Sequence, residues 1–241
     1  MEGSGEGFLM EEIASGVWQA IKLIGSLDPE VRQIALFSLQ VSGLALVAAA
    51  LAAIPYGIWL AFSRFPGRRV LIGLTYSGMA FPTVVVGLIV FLLLSQQGPF
   101  GLLGWLFTPW AIVVAQFIIA FPVIASLTLS AILAVNPGMR LQLRSLGATR
   151  AQATVALLGE ARVSMVIALA AAFGRVVTEV GAVIIVGGNI AGNTRVLTTA
   201  IVLETRKGEF AAAIALGIIL LLISFTINLV ATRLQGRALA R

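Results

Sequence analysis

Two opposite charges four positions apart, Arg175 and Glu179, stand in the stretch AAFGRVVTEVGAVIIVGGN (Ala171–Asn189), which is otherwise apolar, small or weakly polar. On one continuous helix they share a face and lie within pairing reach. Each charge costs about 2.5–3.5 kcal/mol at the centre of a membrane helix on insertion scales, so both must face protein or water. Two readings follow: a pore-lining or gating pair, or a neutralised ion pair that locks helix packing. Thr178 lies between them, and Asn189, Asn193, Thr194, Arg195, Thr198 and Thr199 follow in the next twenty positions. These supply amide, hydroxyl and guanidinium donors near one end of the stretch. The same run GGNIAGNTR also reads as a plain turn with Asn and Gly at left-handed positions.

Other chemistry is poorly provided for. The chain has no cysteine and no histidine, which removes disulfides, thiolate ligands and imidazole chemistry. With Glu179 as its single acid inside an apolar stretch, it lacks the nucleophile or acid–base set of an enzyme, so no catalytic or metal-binding residue is assigned. There is no G-x-x-x-x-G-K-[ST] loop, and the lysines, Lys22 and Lys207, lie outside the apolar stretches. Energy for any work must come from a partner or from a gradient.

The elements that position these groups are membrane spans. Of 241 residues, 59% are hydrophobic and 11% charged, and the mean hydropathy is +1.05. That departs far from the roughly quarter-charged makeup of a soluble domain. No charged residue occurs between Arg32 and Arg64 or between Arg69 and Arg140. A bilayer core needs about 20 apolar helical residues, so these gaps hold one span and two spans. The second gap is divided by SQQGPFG (Ser95–Gly101), a turn at an interface. Expected spans are 36–62, 71–95, 105–134, 163–187 and 210–232. Pro55, Pro82 and Pro122 place a proline inside each of the first three. They mark either kinks in helices packed around a path or ordinary tolerance of proline in membrane helices.

Charge sets the expected orientation. Arg64, Arg68, Arg69, Arg140, Arg144, Arg150, Arg162, Arg233, Arg237 and Arg241 share one side with a lone acid, Glu160. The other side holds Lys22, Arg32, Arg195, Arg206 and Lys207 against eight acids. Positive-inside logic puts the arginine-rich side and the C-terminus in the cytoplasm and the N-terminus outside. The net charge of +6 is accounted for by this bias, with attraction of an anionic substrate or nucleic acid the weaker reading. The acidic start MEGSGEGFLMEEI lacks the basic region of a secretory signal, so none is expected. Met10, Ile13, Val17, Ile21 and Ile24 recur at steps of three and four, which predicts an amphipathic helix over 8–26 lying at the interface, with Trp18 as anchor. The alternative is a strained sixth span.

The longest polar interval runs from Asn136 to Arg162. Asn136-Pro137 signals a helix start, Gly147 fits a helix C′ position, and Thr149 with Gln152 forms a T-x-x-Q capping box for a second helix. Leu141, Leu143 and Leu146 lie on the first helix with Arg140 and Arg144, so it offers an apolar and a basic side to a soluble partner.

At this corner the sequence resembles the permease subunits of ABC importers, whose cytoplasmic loop carries an E-A-A, three residues, Gly signature. RSLGATRAQAT keeps the glycine as Gly147 amid Arg144, Ser145, Leu146, Ala148, Thr149 and Arg150, whereas LQL (Leu141–Leu143) replaces E-A-A and Glu160 stands where a proline is usual. The stretch from Glu179 to Gly217 is similar to the tungstate-type oxyanion permeases, relatives of the molybdate permeases, and the likeness runs from about residue 33 onward. The resemblance implies an all-α integral membrane protein of the type I ABC importer permease fold with five or six spans; together with the residue pattern it gives five spans, an N-terminal interfacial helix within 1–32, which the resemblance matches least, a permease domain over 33–241 and a coupling segment over 136–162. It further implies a homodimer in the cell membrane, contacting lipid and no nucleic acid, served by two ABC ATPase subunits and an extracytoplasmic oxyanion-binding protein. ATP and magnesium would be held by the ATPase, leaving this chain without a cofactor. Arg140 to Arg150 would couple to the ATPase. Arg175, Thr178, Glu179, Asn189, Asn193, Thr194, Arg195, Thr198 and Thr199 would line or gate a path for tungstate or molybdate. The rival function is a gradient-driven carrier or channel for a small anion, which calls for coupling carboxylates buried in several spans.

Overall fold

The computed structural model describes the backbone of residues 3–26, 28–135 and 137–239, all of it helical or connecting segment. In chain order the helices are α1 (Gly3–Gly25), α2 (Pro29–Phe62), α3 (Arg68–Gly78), α4 (Thr83–Leu94), α5 (Pro109–Ala134), α6 (Pro137–Ser145), α7 (Arg150–Val177), α8 (Gly181–Gly187), α9 (Leu197–Lys207) and α10 (Phe210–Leu239).

α5 is the axis of the bundle. Of its most apolar stretch 67% is buried, against 28% for α2 and 22% for α7 and α10, whose remaining surfaces present apolar side chains outward. Its tightest neighbour is α2, and the reason is side-chain size. Val41, Ala45, Ala49, Ala53 and Gly57 recur every four residues and are buried, while Leu44, Val47 and Leu51 between them are exposed. Small residues let two membrane helices approach closely where lipid provides no hydrophobic drive for association. At Gly57 a Cβ would meet the Ala125 carbonyl oxygen at 2.9 Å, so only glycine fits that crossing. The core continues through Val86 and Val90 of α4, Ala172 and Val176 of α7, and Ala182, Val183 and Val186 of α8.

α2, α5, α7 and α10 are each long and apolar enough to cross a membrane alone. Two of the five expected spans are not continuous. The span at 71–95 is the pair α3 and α4, bent by 100° at a break around Pro82. The span at 163–187 stops at Val177 and resumes as the short α8. Pro55 and Pro122, in contrast, sit inside uninterrupted helices. Two further helices flank the spans: α9 lies between the expected spans 163–187 and 210–232, and α1 packs along α10. Among the described side chains of α1, Gly16 and Ala20 are buried, with Gly16 against Ile214, while Met10, Ile13, Val17, Trp18 and Ile21 are exposed. The described large apolar residues of the expected amphipathic helix thus face the surroundings, and two small ones dock.

Candidate functional site

The two breaks lie side by side. α4 and α8 both start at a break, and near those starts they pack with almost no separation. A Cβ on Gly87 would come within 2.6 Å of Ala182 Cα, and one on Gly181 within 2.8 Å of Val84 Cγ2. A helix end inside a membrane leaves backbone groups that neighbouring side chains must satisfy. α5 supplies two of the donors: Gln116 Nε2 donates to the Val176 carbonyl at 2.9 Å, and Ser126 Oγ donates to the Thr75 carbonyl in the last turn of α3 at 3.1 Å.

This geometry corrects the expected pairing of Arg175 with Glu179. The helix ends at Val177, so the one-face relation of positions four apart no longer holds. Glu179 is 7% exposed and its Oε1 accepts from the Ala182 N–H at 3.0 Å. Val180 takes the N-cap position itself, and the Glu179 carboxylate just before it satisfies one of the first N–H groups of α8, where negative charge is also favoured by the positive end of the helix dipole. Thr198 Oγ1 donates to the Glu179 carbonyl at 2.9 Å, so the break is fixed from α9 as well. Arg175 is exposed, and among the described residues no carboxylate lies within 4 Å of it.

The expected donors divide in the same way. Thr178 spends its hydroxyl proton on the Gly174 carbonyl at 2.7 Å. Thr194, Thr198 and Thr199 are buried and bond within the chain: Thr194 Oγ1 donates to the Gly187 carbonyl, and Thr199 Oγ1 accepts from Val196 N–H at 3.1 Å. These threonines hold the connection between α8 and α9 in shape. Asn189 takes a left-handed φ of 52°, as expected of a turn, and its Oδ1 is buried without a partner. Asn193 and Arg195 instead reach a cavity of about 490 Å³ at the start of α2. Glu30, Arg32, Gln33 and Gln40 line its other wall, and sequence reading missed all four because nothing local ties α2 to the loop before α9.

At the opposite end the helix–corner–helix forms as expected. Gly147 has φ 76°, Ala148 N–H donates to the Leu143 carbonyl at 3.0 Å, and Thr149 and Gln152 complete the capping box at 3.3 and 2.8 Å. Leu146, at the tip, is 83% exposed. Asn136 and the side chains of Arg140, Leu141, Arg144 and Arg150 lie outside the described residues.

Residues 53–239 match the family described as the binding-protein-dependent transport system inner membrane component. The chain belongs to this family. The permease is 42% identical over 228 residues to the tungstate uptake system permease protein TupB of Peptoclostridium acidaminophilum, covering 94% of this chain and 99% of that one. It is also 42% identical over 209 residues to a probable anion ABC transporter permease protein of Haloferax volcanii, covering 85% and 90%. Its fold is similar to a chain in the crystal structure of a bacterial alginate ABC transporter in complex with an alginate pentasaccharide-bound periplasmic protein, with a TM-score of 0.73 at 21% identity over 92% of this chain and 87% of that one. The bundle is thus the permease fold of ABC importers, a multi-pass membrane subunit that is not itself an enzyme. Within it, the breaks at Pro82 and Thr178–Val180 and the corner at Gly147 are the places where a permease departs from plain spanning helices.

Proposed function

We propose that this permease carries a tetrahedral oxyanion of the tungstate and molybdate class into the cytoplasm by alternating access. It does so as a homodimer, driven by two ATPase subunits and fed by an extracytoplasmic binding protein, with its N-terminus outside and its C-terminus inside. The observation that carries the reading is the likeness to a tungstate permease along essentially the whole of both chains. The geometry supports it at both ends. Leu146 projects from a corner stabilised on each side by caps, which suits an apolar anchor for a soluble partner. Arg175 is a cation at a helix break, with no carboxylate within 4 Å of it among the described residues. Such a charge within a membrane bundle belongs against water, substrate or a second copy, and a path between two copies provides all three. The coupling roles of Arg140, Arg144, Ser145, Gly147, Ala148, Thr149 and Arg150 belong to the same proposal.

Reconstitution into vesicles with the ATPase and binding protein tests it. Tungstate uptake that requires ATP and the binding protein is expected. Uptake driven as well by a proton or sodium gradient alone would overturn the reading in favour of a carrier. Glu179, the acid a carrier would need, is already engaged by the Ala182 N–H in the first turn of α8.

A further inference from the structure

We infer that the cavity at the start of α2 is a low-affinity holding site for a tetrahedral oxyanion, in which Glu30 competes with the substrate for the Arg195 guanidinium. The inference rests on the import reading above and adds to it a place and a residue that tunes release.

Arg195 is held in position by its backbone: its N–H donates to the Ile190 carbonyl at 3.0 Å, in a loop that Thr194 also pins to Ile190 and Gly187. Its side chain is only 19% exposed, and Nε is buried without a hydrogen-bond partner. Among the described residues the nearest carboxylate is Glu30 Oε1 at 3.8 Å, about 1 Å longer than a charge-assisted hydrogen bond. A guanidinium carries five donors in a planar fork suited to oxyanions. Here it meets one loosely placed carboxylate, so most of its capacity is unspent.

Glu30 is free to leave, since its side chain is 75% exposed. The start of α2 does not itself offer a site, because Asp28 Oδ1 already accepts from the Glu30 and Val31 N–H groups at 3.0 Å each. Recognition therefore falls to side chains: Arg32, Gln33 and Gln40 from α2, and Asn193 and Arg195 from the loop. Two cations and three amides against one carboxylate favour a dianion. The volume of about 490 Å³ accommodates it with part of its hydration shell, at about 30 Å³ per water.

A transport path must bind weakly enough to release. A half-buried arginine with no counter-ion would trap a dianion. An exposed glutamate within reach supplies a replacement charge as the anion departs, and so weakens binding.

The test uses the permease–ATPase complex in nanodiscs of zwitterionic lipid without the binding protein, with radiolabelled tungstate binding measured by equilibrium dialysis. E30Q is expected to tighten binding about tenfold, the scale of one screened charge pair, and R195Q to abolish it. R195K, which keeps the charge but not the fork, is expected to fall between, and serves if R195Q does not assemble. Unchanged or weaker binding in E30Q overturns the inference, as does wild-type binding in R195Q. So does loss of tungstate binding when anionic lipid is added, since the occupant would then be a headgroup phosphate. ATP-driven uptake by wild type with no tungstate held in the cavity defeats this inference alone. Absence of that uptake in the full system defeats the import reading.

Discussion

The Glu179 carboxylate accepts from the Ala182 N–H at 3.0 Å, across the point where the fourth span breaks. Its charge is therefore answered by a helix start and not by Arg175. Replacing Glu179 with Gln keeps an acceptor at the cap, whereas Ala removes it. E179A is expected to destabilise the permease by about 1–2 kcal/mol, within the range for lost caps, and E179Q by clearly less. A double-mutant cycle with R175A should give a coupling energy near zero, read from thermal unfolding in detergent. Strong coupling, or rescue of E179A by R175A, would restore the ion-pair reading.

The α4–α8 crossing rests on Gly87, where a Cβ would stand 2.6 Å from Ala182 Cα. The obstacle is backbone, so it cannot rotate away. G87A is expected to cost about 1–3 kcal/mol, as overpacking does, and to reduce uptake by shifting both broken helices together. Adding A182G should not restore stability, because removing that Cβ leaves the Cα in place. Full recovery in the double variant would mean that the clash lies between side chains.

Much of this architecture could be read from the residues, and the failures share one cause. Charge-free intervals marked out the spans because a bilayer penalises charge at every depth of its core, and the Gly147 corner was legible because caps act within four residues. The breaks were not legible. Pro82 ends a helix while Pro55 and Pro122 do not, and what distinguishes them is tertiary: Ser126 and Gln116 of α5 donate to the ends of α3 and α7. A helical wheel carried past Val177 then produced a false partner for Arg175. Thr194 and Thr198 looked like free donors because their acceptors, the Gly187 and Glu179 carbonyls, become available only where helices stop, and Thr199 because its bond back to Val196 depends on α9 starting there. The signal that was present is the sequence Thr178-Glu179-Val180-Gly181, an acceptor side chain two positions before a glycine, which fits a new helix start as well as a continued one.

Gly147 holds φ 76° with open space around its Cα. Aspartate is among the side chains that enter the left-handed region most readily, at a cost of about 1 kcal/mol. G147D is therefore expected to fold, with an unfolding midpoint within a few degrees of wild type. It places a carboxylate beside the exposed Leu146, where an apolar anchor is to be buried. ATP-dependent uptake should fall at least tenfold, corresponding to about 1.4 kcal/mol or more of lost docking, while ATP hydrolysis by the assembled ATPase continues. Full uptake by this variant would remove the corner from the coupling pathway.

Arg175 distinguishes a path residue from a structural one most directly. It is exposed at the end of α7 with no carboxylate within 4 Å among the described residues, so R175Q removes no ion pair seen among them, and the unfolding midpoint should barely change. If the guanidinium faces the translocated anion, uptake in R175Q should drop by about tenfold or more, the value of roughly one charge-assisted contact. R175K should keep part of the rate, since the point charge survives without the forked donors. The measurement is initial tungstate uptake at saturating binding protein and ATP, alongside thermal unfolding of the same preparations. A parallel loss of stability and uptake in R175Q, with no recovery in R175K, would assign the residue to packing between copies.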